Sequence, residues 1–112
     1  MKDLTDVELY NCPNMTQLPD FLYDLPELQS LNIACNRGIS AAQLKADWTR
    51  LADDEDTGPK IQIFYMGYNN LEEFPASASL QKMVKLGLLD CVHNKVRHLE
   101  AFGTNVKLTD LS

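Results

Sequence analysis

Apolar residues recur along this chain at a fixed irregular spacing that repeats several times. The clearest run is Leu86-x-x-Leu89-x-Cys91-x-x-Asn94-x-Val96-x-x-Leu99. The same template fits Ile61-x-x-Phe64-x-Met66-x-x-Asn69-x-Leu71-x-x-Phe74, with Pro75 next. Upstream, Leu28-x-x-Leu31-x-Ile33-x-x-Asn36 repeats it, and Ile39 closes the turn one residue later. The first copy reads Leu4-x-x-Val7-x-Leu9-x-x-Cys12, followed by Met15, Leu18 and Pro19, and a fifth begins at Leu108-x-x-Leu111. Copies therefore start near residues 4, 28, 61, 86 and 108, separated by 24, 33, 25 and 22 residues. Within each copy, positions four and six are apolar around a variable position five, the period of a short strand with one buried face.

Between the copies the pattern changes period. After Ile39, the run Ser40-Ala41-Ala42-Gln43 has the Ser-x-x-Gln spacing of a capping box. Ala41, Leu44, Trp48 and Leu51 then recur at helical spacing, which predicts a helix from about Ala41 to Ala52 with its Trp48 face packed inward. The stretch from Asp53 to Pro59 reads as an exposed loop, so the enlarged coil carries a helical insertion over about 41–60. Shorter helical or 3₁₀ turns are expected at Pro19–Leu25 and Pro75–Val84.

These copies resemble the leucine-rich repeat family, whose signature is L-x-x-L-x-L-x-x-N/C-x-L. The match runs over nearly the whole chain. Leu18-Pro19 and Phe74-Pro75 are similar to the "LP" subtype found among bacterial members, many of them surface or secreted proteins. The resemblance implies an α/β architecture: one leucine-rich repeat domain over 1–112, wound as a right-handed solenoid. Its short parallel β-sheet would line the concave face, with helices and 3₁₀ turns on the convex face. Position nine would sit where the chain leaves the sheet, and a polar side chain there would satisfy backbone groups of neighbouring coils. Asn36, Asn69 and Asn94 are the expected rungs of such a ladder, with Cys12 as a softer substitute.

The variable positions of the strands mark the face where solenoids of this kind bind. Position five gives Glu8, Asn32, Tyr65 and Asp90; position seven gives Tyr10, Ala34, Gly67 and Val92; position eight gives Asn11, Cys35, Tyr68 and His93. Three tyrosines with acidic and polar neighbours suit protein recognition, because each ring offers area and a hydroxyl with few rotatable bonds. The candidate binding residues are accordingly Glu8, Tyr10, Asn32, Tyr65, Tyr68, Asp90 and His93. Tyrosines also favour pleated strands for their own sake.

Composition narrows the chemistry. Ten basic and sixteen acidic residues give a net charge of −6. With no basic stripe on the sequence, nucleic acid and anionic membrane are unexpected partners. No apolar run is long enough to span a bilayer, so no membrane insertion is expected. Cys12, Cys35 and Cys91 are an odd, sparse set with no C-x-x-C pair, and read as reduced thiols, of which Cys35 is the expected accessible one. Cys91 and His93, with His98 nearby, do not make a metal site, because position six points inward. The acidic Asp53–Asp56 run lacks the alternation of a calcium loop. Asn14-Met15-Thr16 matches a glycosylation sequon, but Met15 is expected to be buried. Nucleophile-elbow, phosphate-loop and H-E-x-x-H patterns are not found in the sequence, so neither an enzyme nor a cofactor is expected.

The fifth copy breaks off at Leu111-Ser112, and three residues precede Leu4. Since terminal repeats need polar caps, the sequence reads as a stretch of a longer repeat protein; association through uncapped ends is the alternative. The expected function is a non-catalytic module for protein–protein recognition through the concave sheet. Glycan or small-ligand binding by the tyrosine and acidic patch, or service as a structural spacer, are the competing readings. The resemblance alone suggests an extracellular or bacterial surface setting, and the protein partner's identity is not legible.

Overall fold

The computed structural model describes residues 3–95 and the backbone of 107–109. Each apolar copy forms a three-residue strand centred on its position four. These are β1 (Asp6–Glu8), β2 (Ser30–Asn32), β3 (Ile63–Tyr65), β4 (Leu88–Asp90) and β5 (Lys107–Thr109). They stack in chain order into one parallel sheet, the arrangement that follows when each coil returns to start beside the last. Val7 lies opposite Leu31, Leu31 opposite Phe64, and Phe64 opposite Leu89, so position four is in register throughout. Hydrogen bonds continue past the strands. Leu9 N–H donates to Asn32 O, Ile33 N–H to Tyr65 O and Met66 N–H to Asp90 O, at 2.8–2.9 Å.

The last strand departs from the expected register. Leu89 pairs with Leu108, which puts Leu108 at position four of its coil rather than position one. The final coil is therefore shorter than the spacing of apolar residues suggests. An L-x-x-L fragment is compatible with either phase, and only pairing to β4 decides between them. Val96, His98, Leu99 and Leu111 lie outside the described residues.

Inward positions build a continuous core. Leu28, Leu31, Ile33, Ile61, Phe64, Met66, Leu86, Leu89 and Cys91 are all essentially inaccessible. The first coil is looser: Leu4 is exposed and Leu9 half-buried. On the side opposite the sheet, the enlarged coil carries α1 (Ala41–Asp53). Ser40 Oγ accepts from Gln43 N–H (3.2 Å), the first half of the capping box. The Gln43 side chain turns along the helix, its Nε2 donating to Asp47 Oδ1 at 2.8 Å. Asp47 is itself buried, and its other oxygen accepts Leu18 N–H at 2.9 Å, tying α1 to the preceding coil.

Trp48 is the centre of this packing. Its ring meets Phe64 and Phe74 edge-on, each with centroids 5.4 Å apart. Its Nε1–H is directed to Met83 Sδ at 3.4 Å, so one side chain joins helix, sheet and two later turns. A 3₁₀ turn at Asp20–Asp24 and a short helix α2 (Ser77–Leu80) fill the equivalent places of the plain coils. After α1, Asp53, Glu55 and Asp56 are exposed as expected of a loop, whereas the end of the segment turns inward. Asp54 Oδ1 accepts from Asp56 and Thr57 N–H, a 3₁₀ turn follows at Gly58–Lys60, and Thr57 and Gly58 are buried. Folding this segment back against α1 brings Gly58 so close that a Cβ there would lie 2.5 Å from Leu51 O. Among the described residues, no helix is long and apolar enough to cross a membrane.

Candidate functional site on the concave sheet

Two sets of side chains leave the sheet at its edges of curvature: the position-nine residues turn into the solenoid, and the variable positions turn away from it. What separates them is a backbone feature that spacing did not disclose. Asn11, Cys35, Tyr68 and His93, the position-eight residues of four coils, all have positive φ, between 54° and 61°. This left-handed step swings the next residue inward. Asn and His tolerate it comparatively well, whereas a bulky aromatic such as Tyr68 is disfavoured there.

The inward set forms the ladder. Asn69 Oδ1 accepts Asn36 N–H at 2.6 Å while its Nδ2 donates to Ile33 O and Met66 O. Asn36 repeats the pattern, accepting from Cys12 N–H at 2.8 Å and donating to Leu9 O and Ile33 O. Asn94 shifts by two residues: its Oδ1 accepts from Leu71 N–H at 3.0 Å, and its Nδ2 reaches Met66 O and Cys91 O. Cys12 stands at position nine of the first coil: its N–H donates to Asn36 Oδ1 at 2.8 Å, and its thiol lies 3.7 Å from Tyr10 O of its own coil.

The outward set is arranged by strand register. Glu8, Asn32, Tyr65 and Asp90 stand side by side across the sheet. Tyr10, Asn32, Tyr65, Tyr68 and Asp90 line one concavity of about 270 Å³, together with Ala34, Cys35, Gly67 and Val92. His93 joins through its ring, stacked on Tyr68 with centroids 4.5 Å apart at 30°. Glu8 lies outside the concavity, at the open end of the row. Tyr10 and Tyr68 are exposed, whereas Tyr65 is only half-exposed.

Two of the polar residues have a local duty as well. Asn32 Oδ1 accepts Ala34 N–H, and Asp90 Oδ1 accepts Val92 N–H, both at 3.0 Å. Each closes a small turn that leads into the left-handed step. The pocket residues not singled out from sequence are small or apolar, and their contribution is room. A Cβ on Gly67 would lie 2.7 Å from Val92 Cγ1 and 3.8 Å from Asp90 Oδ1, so a side chain there would intrude on the pocket floor. At position seven, Ala34 and Gly67 are the small residues between Tyr10 and Val92. Ile63 and Leu88, half-buried on the adjacent row of the same face, were also passed over.

Cysteine accessibility departs from expectation, because Cys12 is part-exposed to the same class as Cys35. Cys91 is buried, and burial pushes its thiol up to about 12, with the Asp90 carboxylate adding to the shift. A protonated thiol facing the core is a poor metal ligand and nucleophile. Met15 in the sequon is half-buried rather than buried.

Comparison with known proteins agrees with this architecture. A leucine-rich repeat protein from Bacteroides eggerthii, solved by crystallography, superimposes with a TM-score of 0.89 and is 62% identical over 96% of this chain. Toll-like receptor 7 of Drosophila melanogaster is 31% identical over 101 residues, or 88% of this chain. No family model matches. The repeated strand, the asparagine ladder and the Bacteroides likeness together place the chain in the leucine-rich repeat family. It spans 17% of the length of the Bacteroides protein and 7% of the receptor.

Proposed function

We propose that the chain is a non-catalytic protein-recognition module whose concave sheet holds the partner. The observation carrying this reading is Tyr68. It occupies a left-handed backbone position that would suit Gly or Asn better, it is exposed, and it stacks on His93 above the pocket. A bulky ring held where the backbone disfavours it, and not needed for the core, is what a binding surface requires. Tyr10 and Tyr65 extend the same surface to either side of Asn32 and Asp90. One similar protein is a receptor by name, which supports recognition as the role. A bacterial surface setting goes with this reading, on the likeness to the Bacteroides protein.

The test is a binding screen of the chain against displayed proteins and, in parallel, a glycan array, each with the parent and a Tyr65→Ala/Tyr68→Ala variant. A protein ligand whose affinity falls at least about tenfold in the variant, a loss of about 1.4 kcal/mol, is the expected result. Binding confined to glycans and lost in the same variant would transfer the site to sugar recognition. Protein binding unaffected by the variant would move the interface off the concave face.

A further inference from the structure

We infer that the concave pocket receives one cationic side chain of the protein partner, with the planar guanidinium of arginine as the best fit; this rests on the protein-recognition reading of the face. Size is the first constraint. A concavity of about 270 Å³ falls below the roughly 300–1,000 Å³ typical of sites for whole small molecules. It suits a single inserted side chain.

The lining supplies the second constraint. Tyr10, Tyr65 and Tyr68 bring three aromatic rings to the lining, and among the described residues Asp90 is the only charged one there. Asp90 Oδ1 is engaged by Val92 N–H, while its second oxygen accepts no hydrogen bond among the described residues. Ring faces attract cations through the quadrupole of the π system, and a carboxylate adds a charge-assisted hydrogen bond. A planar guanidinium can satisfy both at once, which an ammonium does less well. Gly67 adds no side chain to the lining beside Asp90.

The surrounding field points the same way. The chain carries a net charge of −6, and Glu8 extends the outward row that contains Asp90. Lys45, Arg50 and Lys82 are paired with Glu73, Asp20 and Asp53 on the α1 side of the molecule, away from the sheet. Arg37 lies in the neighbouring cleft beyond Tyr10 and Cys35, so it borders the acidic region without lining it.

The structure also provides the control. Asn32 makes at its coil the same turn that Asp90 makes at its own, with the same 3.0 Å bond to the N–H two residues on. Asp90→Asn should therefore keep the turn and remove only the charge. The experiment is a ¹⁵N NMR titration of the chain with acetylated Gly-X-Gly amides, where X is arginine, lysine, citrulline or norleucine. Saturable shifts at Gly67, Tyr68 and Val92 are expected for arginine, weaker ones for lysine, and none for citrulline or norleucine. Asp90→Asn should weaken the arginine peptide about tenfold with an unchanged melting temperature, and added salt should weaken it in the parent.

Citrulline binding as well as arginine, or an arginine response that Asp90→Asn leaves intact, overturns the inference. Either result leaves the recognition role of Tyr65 and Tyr68 standing. Protein binding indifferent to the tyrosine pair would remove both.

Discussion

Asn69 places its side-chain oxygen 2.6 Å from the backbone nitrogen of Asn36, the residue at the same position of the preceding coil. One amide thereby satisfies a buried N–H of its neighbour and, through Nδ2, two carbonyls at Ile33 and Met66. Asn69→Ala would leave the buried Asn36 N–H without a partner, while Ile33 O and Met66 O keep only the amides of Asn36 and Asn94, and leaving a buried donor unpaired is costlier than removing both partners. The expected loss is about 2–3 kcal/mol in urea unfolding. Asn94 is half-exposed and water can replace it, so Asn94→Ala should cost about 1 kcal/mol. Equal losses for the two variants would contradict this ranking.

Trp48 is the chain's single tryptophan and is fully buried. Its fluorescence should be blue-shifted in the folded state and move to the red on unfolding, which makes it a direct reporter of the helix–sheet interface. Trp48→Phe keeps a ring between Phe64 and Phe74 but removes the Nε1–H and some volume; a loss of about 1–2 kcal/mol is expected. Trp48→Ala should cost about 3–5 kcal/mol.

Gly58 and Gly67 are tight for different reasons. An added Cβ at Gly58 meets two backbone carbonyls, Leu51 O at 2.5 Å and Ala52 O at 2.7 Å, and neither can move without distorting the end of α1. At Gly67 the closest obstacle is the Val92 side chain, which can rotate. Thermal melts should therefore show Gly58→Ala as the more destabilised variant, by about 2–3 kcal/mol against about 1 kcal/mol.

Alkaline pH should unfold the protein through two buried acids. Burial, with the nearby Asp47 charge, pushes the Tyr23 hydroxyl up to about 12 from its ordinary 10.0, and Cys91 likewise rises to about 12 from 9.0. Both are raised, so the unfolded chain loses these protons first. Their contribution is complete below pH 9 and is lost progressively as pH climbs towards 12. Melting temperature should fall over that window, and less steeply in Tyr23→Phe. At neutral pH, a thiol reagent should modify Cys12 and Cys35 readily and Cys91 only on unfolding; three equally fast thiols would contradict its burial.

Much of this protein follows from spacing. The apolar template located strands β1 to β4, and the helical run around Trp48 located α1 to within one residue at its end. Burial at these positions is dictated locally, because each coil repeats the same alternation whatever its neighbours do. Asn36, Asn69 and Asn94 could be named as rungs because the turn they serve recurs at a fixed distance from the strand. The candidate face was legible only as a roll of variable positions.

Contacts between coils required the tertiary structure. Stacking across the solenoid assembles Tyr10, Tyr65, Tyr68 and Asp90 around one concavity and leaves Glu8 outside it. The left-handed step shared by Asn11, Cys35, Tyr68 and His93 has no common residue type, so no sequence pattern announces it. The phase of β5 had the same origin: Leu108 could begin a copy or centre a strand, and only its pairing with Leu89 chose. Repetition makes each coil readable by itself, whereas register, pocket and ladder are relations between coils that the chain settles only when it closes on its neighbours.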